Sequence, residues 1–381
     1  MDKKQQKKKS KLNNYALLAL TIALYFIPCF IAGSYIIPLN LDPFIHFAFL
    51  IFVMYLGLIF HIIVHESGHL VLGLLTGYRF SSFRIFSFMW VKDGESIKFK
   101  RHSIAGTGGQ CLMSPPELKN GEMPVVWYNL GGSIMNIIIS TLLLIVFFLL
   151  KGVSILNGIL LTFALLGYSL AIINGLPIRT GTVDTDGYNA ISLSKDPVAR
   201  EAFWVQMKVV DETAKGARLK DMPAEWFAVP TDEAMGNSMI AARGVFACNR
   251  LIDEQRFEEA DELMAHFLET ENGMVGLHRS ILICERIYIE LIHQKRHDVI
   301  KEKLTKNLKN FMNAMKDNPS IIRTQYAIAL LYEGDTAKAK TIKAQFEKRA
   351  KTYPYPQEID LERDLMALAE SKFNQSNSEN E

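Results

Sequence analysis

The chain has 381 residues, with 42 lysines and arginines against 40 aspartates and glutamates, so its formal net charge is only +2. A charge balance this close to neutrality gives no basis for nucleic-acid binding, which requires a concentrated basic surface. The length leaves room for more than one domain. The cysteines are far apart and form no C-x-x-C pair, which argues against a structural disulfide or a cysteine zinc site: Cys29, Cys111, Cys248 and Cys284.

The chain begins with a basic segment, residues 1–14, which contains six lysines before an uncharged run. We interpret that run, residues 15–37, as a retained membrane anchor rather than a cleaved signal peptide. It is long enough to cross a bilayer, which takes about 20 apolar residues, and no small-x-small cleavage site is obvious. A basic segment beside a membrane span is typical of the cytoplasmic side.

Three more apolar runs follow, over 45–76, 125–150 and 154–173, so the sequence predicts about four transmembrane helices. The run over 45–76 would be about 48 Å long as a helix, against a hydrocarbon core of about 30 Å, and should therefore tilt or project. The connection 38–44 has no lysine or arginine, whereas the loop 77–124 has seven, and the chain after Leu176 is expected to return to the cytoplasm. This pattern predicts a multi-pass cell-membrane protein with both termini in the cytoplasm.

The loop over 78–101 alternates loosely between apolar and other residues, and Lys92-Asp93-Gly94-Glu95 supplies a turn. It is therefore predicted to be a small β-hairpin at the membrane interface. Such a hairpin could lend its edge to an unwound substrate strand, or it could simply rest on the lipid surface.

The run over 45–76 contains His65-Glu66-Ser67-Gly68-His69, an H-E-x-x-H pattern inside an apolar helix. Helical residues four apart share a face, so His65 and His69 can bind one metal ion with Glu66 beside them. Two imidazoles and a carboxylate form a set that can bind zinc and take the proton of an attacking water. Ionisable groups inside a membrane are costly and usually functional, so the pattern predicts a metal-dependent hydrolase site.

A zinc hydrolase normally uses three protein ligands, so one more must come from elsewhere in the chain. Asp186 is the first candidate and Asp184 the second, both soon after the last span. Gly187 would let the backbone turn tightly after Asp186. The alternative is that Asp186 caps the following helix. His61 shares the face of His65 and is interpreted as a packed or interfacial histidine, because the set is complete without it.

Three motifs, in their order along the chain, resemble those of the site-2 protease family of intramembrane zinc metalloproteases. The resemblance covers roughly residues 45–195. The aspartate follows the proline more closely in many members, so the choice between Asp186 and Asp184 stays open. The motifs are the H-E-x-x-H from His65 to His69, the G-x-x-x-N from Gly132 to Asn136, and Asn174-Gly175-Leu176-Pro177 followed by Asp186-Gly187.

The resemblance implies a three-helix catalytic core, Zn²⁺ held by His65, His69 and Asp186, and cleavage of a transmembrane peptide with Glu66 as the base. It also implies two substrate-binding residues. Asn174 would hold the substrate backbone or the oxyanion. Asn136 would match a polar residue of the middle core helix, with a helix–helix hydrogen bond as the equally open alternative.

Residues 196–372 are charged and helix-forming, and three similar segments begin at about 40-residue steps, near residues 255, 295 and 334. They predict a soluble cytoplasmic domain of degenerate tetratricopeptide-like repeats, with a plain helical bundle as the alternative. The polar tail 373–381 is predicted to be disordered.

The fold class predicted is thus an all-α membrane protein of about four transmembrane helices over 15–195, with a small interfacial β-hairpin and a soluble α-helical repeat domain. We predict a zinc endopeptidase that cuts a single-span regulator or a leader or signal-peptide remnant in the bilayer. The repeats would bind a protein partner, and no nucleic acid is expected. A non-proteolytic membrane protein that binds partners through its repeats is the alternative. A transporter lacks support because the chain shows no paired inverted repeats.

Overall fold

The computed structural model describes residues 42–103, 107–150, 154–179, 184–294 and 296–378, together with the single positions 23, 30, 31 and 33. The chain divides into two compact units, Met1–Tyr78 with Pro124–Lys195 and Arg79–Met123 with Asp196–Glu381. The membrane domain over 15–195 stays a prediction. Its central loop belongs to the second unit because that loop forms strands that pack with the C-terminal helices.

The first unit consists of four helices: α1 (Pro43–Leu75), α2 (Val125–Leu149), α3 (Ile155–Gly175) and α4 (Asp186–Lys195). Among the described residues, α1, α2 and α3 are long and apolar enough to cross a membrane, which confirms three of the four predicted spans. The span predicted over 15–37 lies outside the described residues except for positions 23, 30, 31 and 33.

The helices α1, α2 and α3 place polar side chains inside their bundle and apolar ones outside. Asn136 and Ser140 of α2 and Thr162 of α3 are 0 % exposed, as is His61 of α1. Many outward side chains are large and apolar, including Phe52, which is 56 % exposed. Polar groups facing inward and apolar groups facing outward are the arrangement that lipid imposes on a helix bundle.

Small residues let α1 and α2 cross at the level of the H-E-x-x-H pattern. A Cβ atom on Gly68 would collide with the carbonyl group of Gly131, and one on Gly131 would collide with that of Gly68. A Cβ atom on Gly132 would run into the imidazole of His65. Backbones in direct contact bring the histidines of α1 against α2, which is how close packing is achieved in membranes.

The second unit begins with a four-stranded antiparallel sheet in the order β3-β2-β1-β4. Its strands are β1 (Arg79–Ile85), β2 (Phe88–Asp93), β3 (Ser96–Arg101) and β4 (Gly109–Ser114). The predicted hairpin is present as β2 and β3, with its turn at Gly94. The sheet extends beyond the predicted hairpin because β1 uses both of its edges, pairing with β2 on one side and β4 on the other.

The two faces of the sheet differ. Met89 and Val91 are buried in the core formed with the C-terminal helices. On the neighbouring positions of β2 and β3, the ring of Phe99 contacts those of Phe88 and Trp90, and the three side chains are 40–53 % exposed. Successive side chains of β2 therefore point alternately to a packed face and to an exposed aromatic face of the sheet. Its placement at a membrane interface remains a prediction.

The remainder of the second unit is helical, and a buried core extends through it. The helix α13 continues to Ser378, so the tail predicted to be disordered from 373 is helical over its described part. The side chain of Phe373 packs against the core and extends the helix. The repeat pattern remains a prediction. The helices are α5 (Pro197–Ala214), α6 (Ser238–Asp253), α7 (Phe257–Glu269), α8 (Gly276–Ile292), α9 (His297–Lys303), α10 (Lys306–Ala314), α11 (Pro319–Ala327), α12 (Thr336–Ala350) and α13 (Pro356–Ser378), with short 3₁₀ turns at Leu219–Asp221, Ala224–Phe227 and Ala234–Gly236 and a π turn at Ile328–Tyr332.

Candidate metal centre

Three side-chain atoms converge inside the first unit. The Nε2 atoms of His65 and His69 are 3.1 Å apart, and Asp186 Oδ2 lies 3.0 Å from the first and 3.5 Å from the second. Tetrahedral zinc with bonds of about 2.0–2.2 Å places its ligand atoms about 3.3 Å apart. The three spacings fit one ion, and these residues form the single group of at least three metal-ligating side chains among the described residues.

The hydrogen bonding of His69 supports this assignment. Its Nδ1 lies 2.8 Å from the carbonyl oxygen of Tyr128, which can only accept, so Nδ1 carries the proton. The Nε2 atom of a neutral His69 is then an unprotonated lone pair directed at Asp186. Nitrogen lone pairs and a carboxylate at this separation repel one another unless a cation lies among them. In metal-binding histidines, the ring nitrogen that does not bind the metal typically donates a hydrogen bond, as His69 Nδ1 does to the Tyr128 carbonyl.

Asp186 is free to face the histidines because another residue caps its helix. The backbone N–H of Tyr188 donates to Thr185 Oγ1 at 3.3 Å, so Thr185 performs the capping role considered for Asp186. Burial raises the pKa of the Asp186 carboxyl, but the positive charge of His69 and the hydrogen bonds from His65 and His69, present when these rings are protonated, outweigh burial and hold that pKa below its ordinary value. An ionised carboxylate is the form that binds a metal.

Asp184, the other candidate, lies elsewhere. Its Oδ1 is 3.7 Å from Arg179 Nε, and the two residues form an isolated antiparallel bridge. The residue after Asp184 is Thr185, and its backbone N–H donates to the Ile178 carbonyl at 3.2 Å. These contacts hold Ile178 and Arg179 next to Thr185 and Asp184, at the two ends of the segment between Pro177 and Asp186. The longer spacing therefore leaves Asp186, rather than Asp184, in the cluster with the histidines.

Glu66 is 8 % exposed and directly follows His65 on α1. Asn136 is completely buried between two imidazoles, with Oδ1 3.1 Å from His61 Nδ1 and Nδ2 3.5 Å from His65 Nδ1. Asn174 is half-buried at the end of α3, and its Nδ2 donates to the Leu170 carbonyl at 3.0 Å. The structure thus places Asn136 beside the histidines and bonds Asn174 to its own helix.

Two contributors to the site were missed by the sequence analysis. The Tyr128 carbonyl is a backbone group and leaves no signal in the sequence. Thr185 could have been identified, because threonine directly before the first residue of a helix is a capping signal. His61 was interpreted as a packed histidine, and it does pack inside the bundle, with Asn136 as its partner.

The chain was also compared with known proteins. No curated protein and no solved structure matches it. A sequence model of peptidase family M50 matches residues 53–345, more than half of the 381 residues, and the match includes all three converging side chains.

Proposed function

Because the chain belongs to peptidase family M50, a family of membrane-embedded zinc metalloproteases, we propose that it is an intramembrane zinc endopeptidase. Its substrates would be peptide bonds within or next to transmembrane segments, in a single-span regulator or a leader or signal-peptide remnant. The observation that carries the proposal is the convergence of His65, His69 and Asp186, with Glu66 beside them inside the apolar bundle.

In this mechanism His65, His69 and Asp186 would hold the zinc ion. The bound ion would supply Lewis-acid activation of the water and the scissile carbonyl. Glu66 would take the proton of the attacking water and then deliver it to the nitrogen of the leaving amine. A transmembrane helix hides its peptide bonds in its own hydrogen bonds, so the substrate must unwind locally before attack. Asn174 stands at the end of α3, where its amide would bind an unwound substrate strand.

For Asn136 we favour the helix–helix alternative over direct contact with substrate. A His65 ring that offers Nε2 to a metal carries its proton on Nδ1 and needs an acceptor there. The two ends of the Asn136 amide exchange places by a half-turn. In that orientation the oxygen accepts from His65 and the amide N–H donates to His61 Nδ1. Asn136 would then be a positioning residue that fixes the tautomer of His65.

The topology and the role of the second unit belong to the same proposal. The basic segment 1–14 and the seven lysines and arginines of the loop 77–124 support a multi-pass topology with both termini in the cytoplasm. The helical second unit would bind a protein that regulates or delivers the substrate. The alternative, a non-proteolytic protein that only binds partners, does not explain a complete ligand set with a carboxylate beside it.

The proposal is tested by Glu66→Gln, which removes the base and keeps the size of the side chain. Cleavage of a co-expressed single-span model substrate should fall by about 100- to 10,000-fold, the usual contribution of general acid–base catalysis. Zinc content and melting temperature should not change. Asp184→Asn is the matched control, since it removes a nearby charge outside the cluster and should leave cleavage intact. Unchanged processing by Glu66→Gln would refute the protease assignment.

A further inference from the structure

The second unit contains a cavity of about 350 Å³, a volume within the usual range for small-ligand sites. Its wall is formed by β4, α5, α6, α8, α11 and α13, so it lies wholly inside this unit. The lining combines apolar side chains such as Leu112, Phe246 and Ile252 with six acidic or arginine side chains. The charged groups are the informative part of this lining, because burying them is costly unless they are paired.

Arg323 occupies one side of the cavity and is 1 % exposed. It donates to Glu285 Oε2 at 2.6 Å and to Glu362 Oε2 at 2.8 Å, and it stacks on the ring of Tyr288 at 4.1 Å. One guanidinium cation therefore serves two buried carboxylates. It neutralises one of their two charges, and burial raises the pKa of Glu362.

The other charged lining residues do not supply the missing positive charge. Arg218 donates to Asp253 Oδ1 at 2.8 Å and is further shared with Asp364. Glu358 accepts a hydrogen bond from the Tyr353 hydroxyl at 2.7 Å, which contributes no charge. Among the described lining residues, four carboxylates therefore face two guanidinium groups, and the lining carries two uncompensated negative charges when all are ionised.

A separate observation also indicates a ligand. His102 lines the cavity and is 8 % exposed, yet its Nδ1 has no hydrogen-bond partner among the described residues. Burial, together with the nearby cations Arg84 and Arg349, lowers the pKa of His102 to about 4, so the ring is neutral. Its Nδ1 is an acceptor in the tautomer that carries the proton on Nε2. The buried Oε1 of Gln357, also in the lining, lacks a partner in the same part of the chain. A ligand that donates hydrogen bonds would satisfy both atoms.

The lining also decides which kind of cation fits. The rings of Tyr353 and Tyr355 lie in the wall with the apolar side chains, and aromatic faces attract organic cations. A hard metal ion prefers about six or more oxygen ligands around it. Arg323 already lies between Glu285 and Glu362, so those two carboxylates are not arranged to surround an ion.

We propose that this cavity binds an organic cation, a primary ammonium or guanidinium group on an apolar stem, and that Glu358 is the carboxylate that receives its charge. The stem packs on the apolar wall while the cationic head donates to Glu358 and to the acceptor atoms of His102 and Gln357. The cation comes either from a free small amine or from a lysine or arginine side chain of a peptide. Both sources share the chemistry that the lining recognises.

The test is calorimetric titration of the full-length protein in detergent micelles, with protein-free micelles as the blank. The peptide probe is N-acetyl-lysine methylamide, and its partner is N-acetyl-norleucine methylamide, which shares most of the apolar stem but lacks the ammonium. The free-amine probe is n-pentylamine. We expect an ammonium probe to bind at least about 10-fold more tightly than the norleucine probe, because only the ammonium can form a buried ion pair with Glu358. Tight binding of n-pentylamine identifies a free amine, and binding of the lysine probe alone identifies a peptide.

Variants locate the binding in the cavity. Glu358→Gln keeps the shape of the side chain and should weaken ammonium binding by about 10-fold or more. Asp360→Asn removes an equal charge from an exposed position of the same helix and should leave binding unchanged. Gln110→Trp fills the cavity from β4 without changing its charge and should abolish binding, which decides the matter if Glu358→Gln does not fold. Equal binding of the norleucine probe, absence of ammonium binding, or unchanged binding by Gln110→Trp overturns the proposal.

Discussion

Mutation of two neighbouring aspartates tests which of them is a metal ligand. Asp186 is the proposed zinc ligand, whereas Asp184 forms an ion pair outside the cluster. Asp186 Oδ2 lies 3.0 Å and 3.5 Å from the two histidine Nε2 atoms, whereas Asp184 faces Arg179 at 3.7 Å. Structural zinc sites with four protein ligands bind the ion with about 10–16 kcal/mol, so one ligand contributes about 3–4 kcal/mol. Asp186→Ala should therefore weaken zinc binding by about 100- to 1000-fold.

The matched variant, Asp184→Ala, removes a carboxylate whose distance to Arg179 is 3.7 Å and which lies outside the cluster of the two histidines and Asp186. Its zinc affinity should stay close to that of the parent protein. The assay is competition with a fluorescent zinc chelator on purified protein in detergent, with the melting temperature as the control for folding. If Asp184→Ala loses zinc and Asp186→Ala retains it, or if both lose it equally while folded, the assignment of the third ligand is refuted.

Three further predictions follow from the buried polar groups. Asn136→Ala should lower zinc affinity by about 10- to 100-fold with little change in melting temperature, and chelator competition would measure it; an unchanged affinity would exclude the positioning role. Arg323→Met leaves two buried carboxylates without their cation, so denaturant unfolding should show a loss of about 3–5 kcal/mol, whereas Arg363→Met on the surface should cost less than about 1 kcal/mol. Burial raises the pKa of Glu358 to about 6 from an ordinary 4.5, so this group stabilises the fold fully below pH 4.5 and loses that effect as the pH rises through 6. The free energy of unfolding should fall by about 2 kcal/mol over this range because of Glu358. Glu358→Gln should remove that part of the pH dependence, as measured by denaturant unfolding at several pH values.

Long periodic or apolar segments were predicted well. The ends of α2 and α3 lie within two residues of the predicted spans, because a bilayer requires a minimum length of uninterrupted apolar residues. The pairing of His65 with His69 also follows from the sequence, since positions four apart on a helix always share a face. These features are local, and the surrounding structure does not alter them.

The choice of Asp186 over Asp184 needed the tertiary structure. It depends on Thr185 capping α4 and on the contacts that close the chain between Ile178 and Thr185. The same holds for the sheet. Strand β4 is separated from β1 by more than twenty residues, and no local sequence pattern predicts that these two strands pair.

The cavity is the clearest case of what the sequence alone did not reveal. Its carboxylates come from α6, α8 and α13, and each of them resembles an ordinary surface residue when the sequence is considered alone. The sequence by itself determined the membrane helices and the histidine pair, because neighbours along one helix define them. The position of Asp186 beside the histidines, the sheet and the buried charges were decided by tertiary packing, because burial and partners are set by residues far away along the chain.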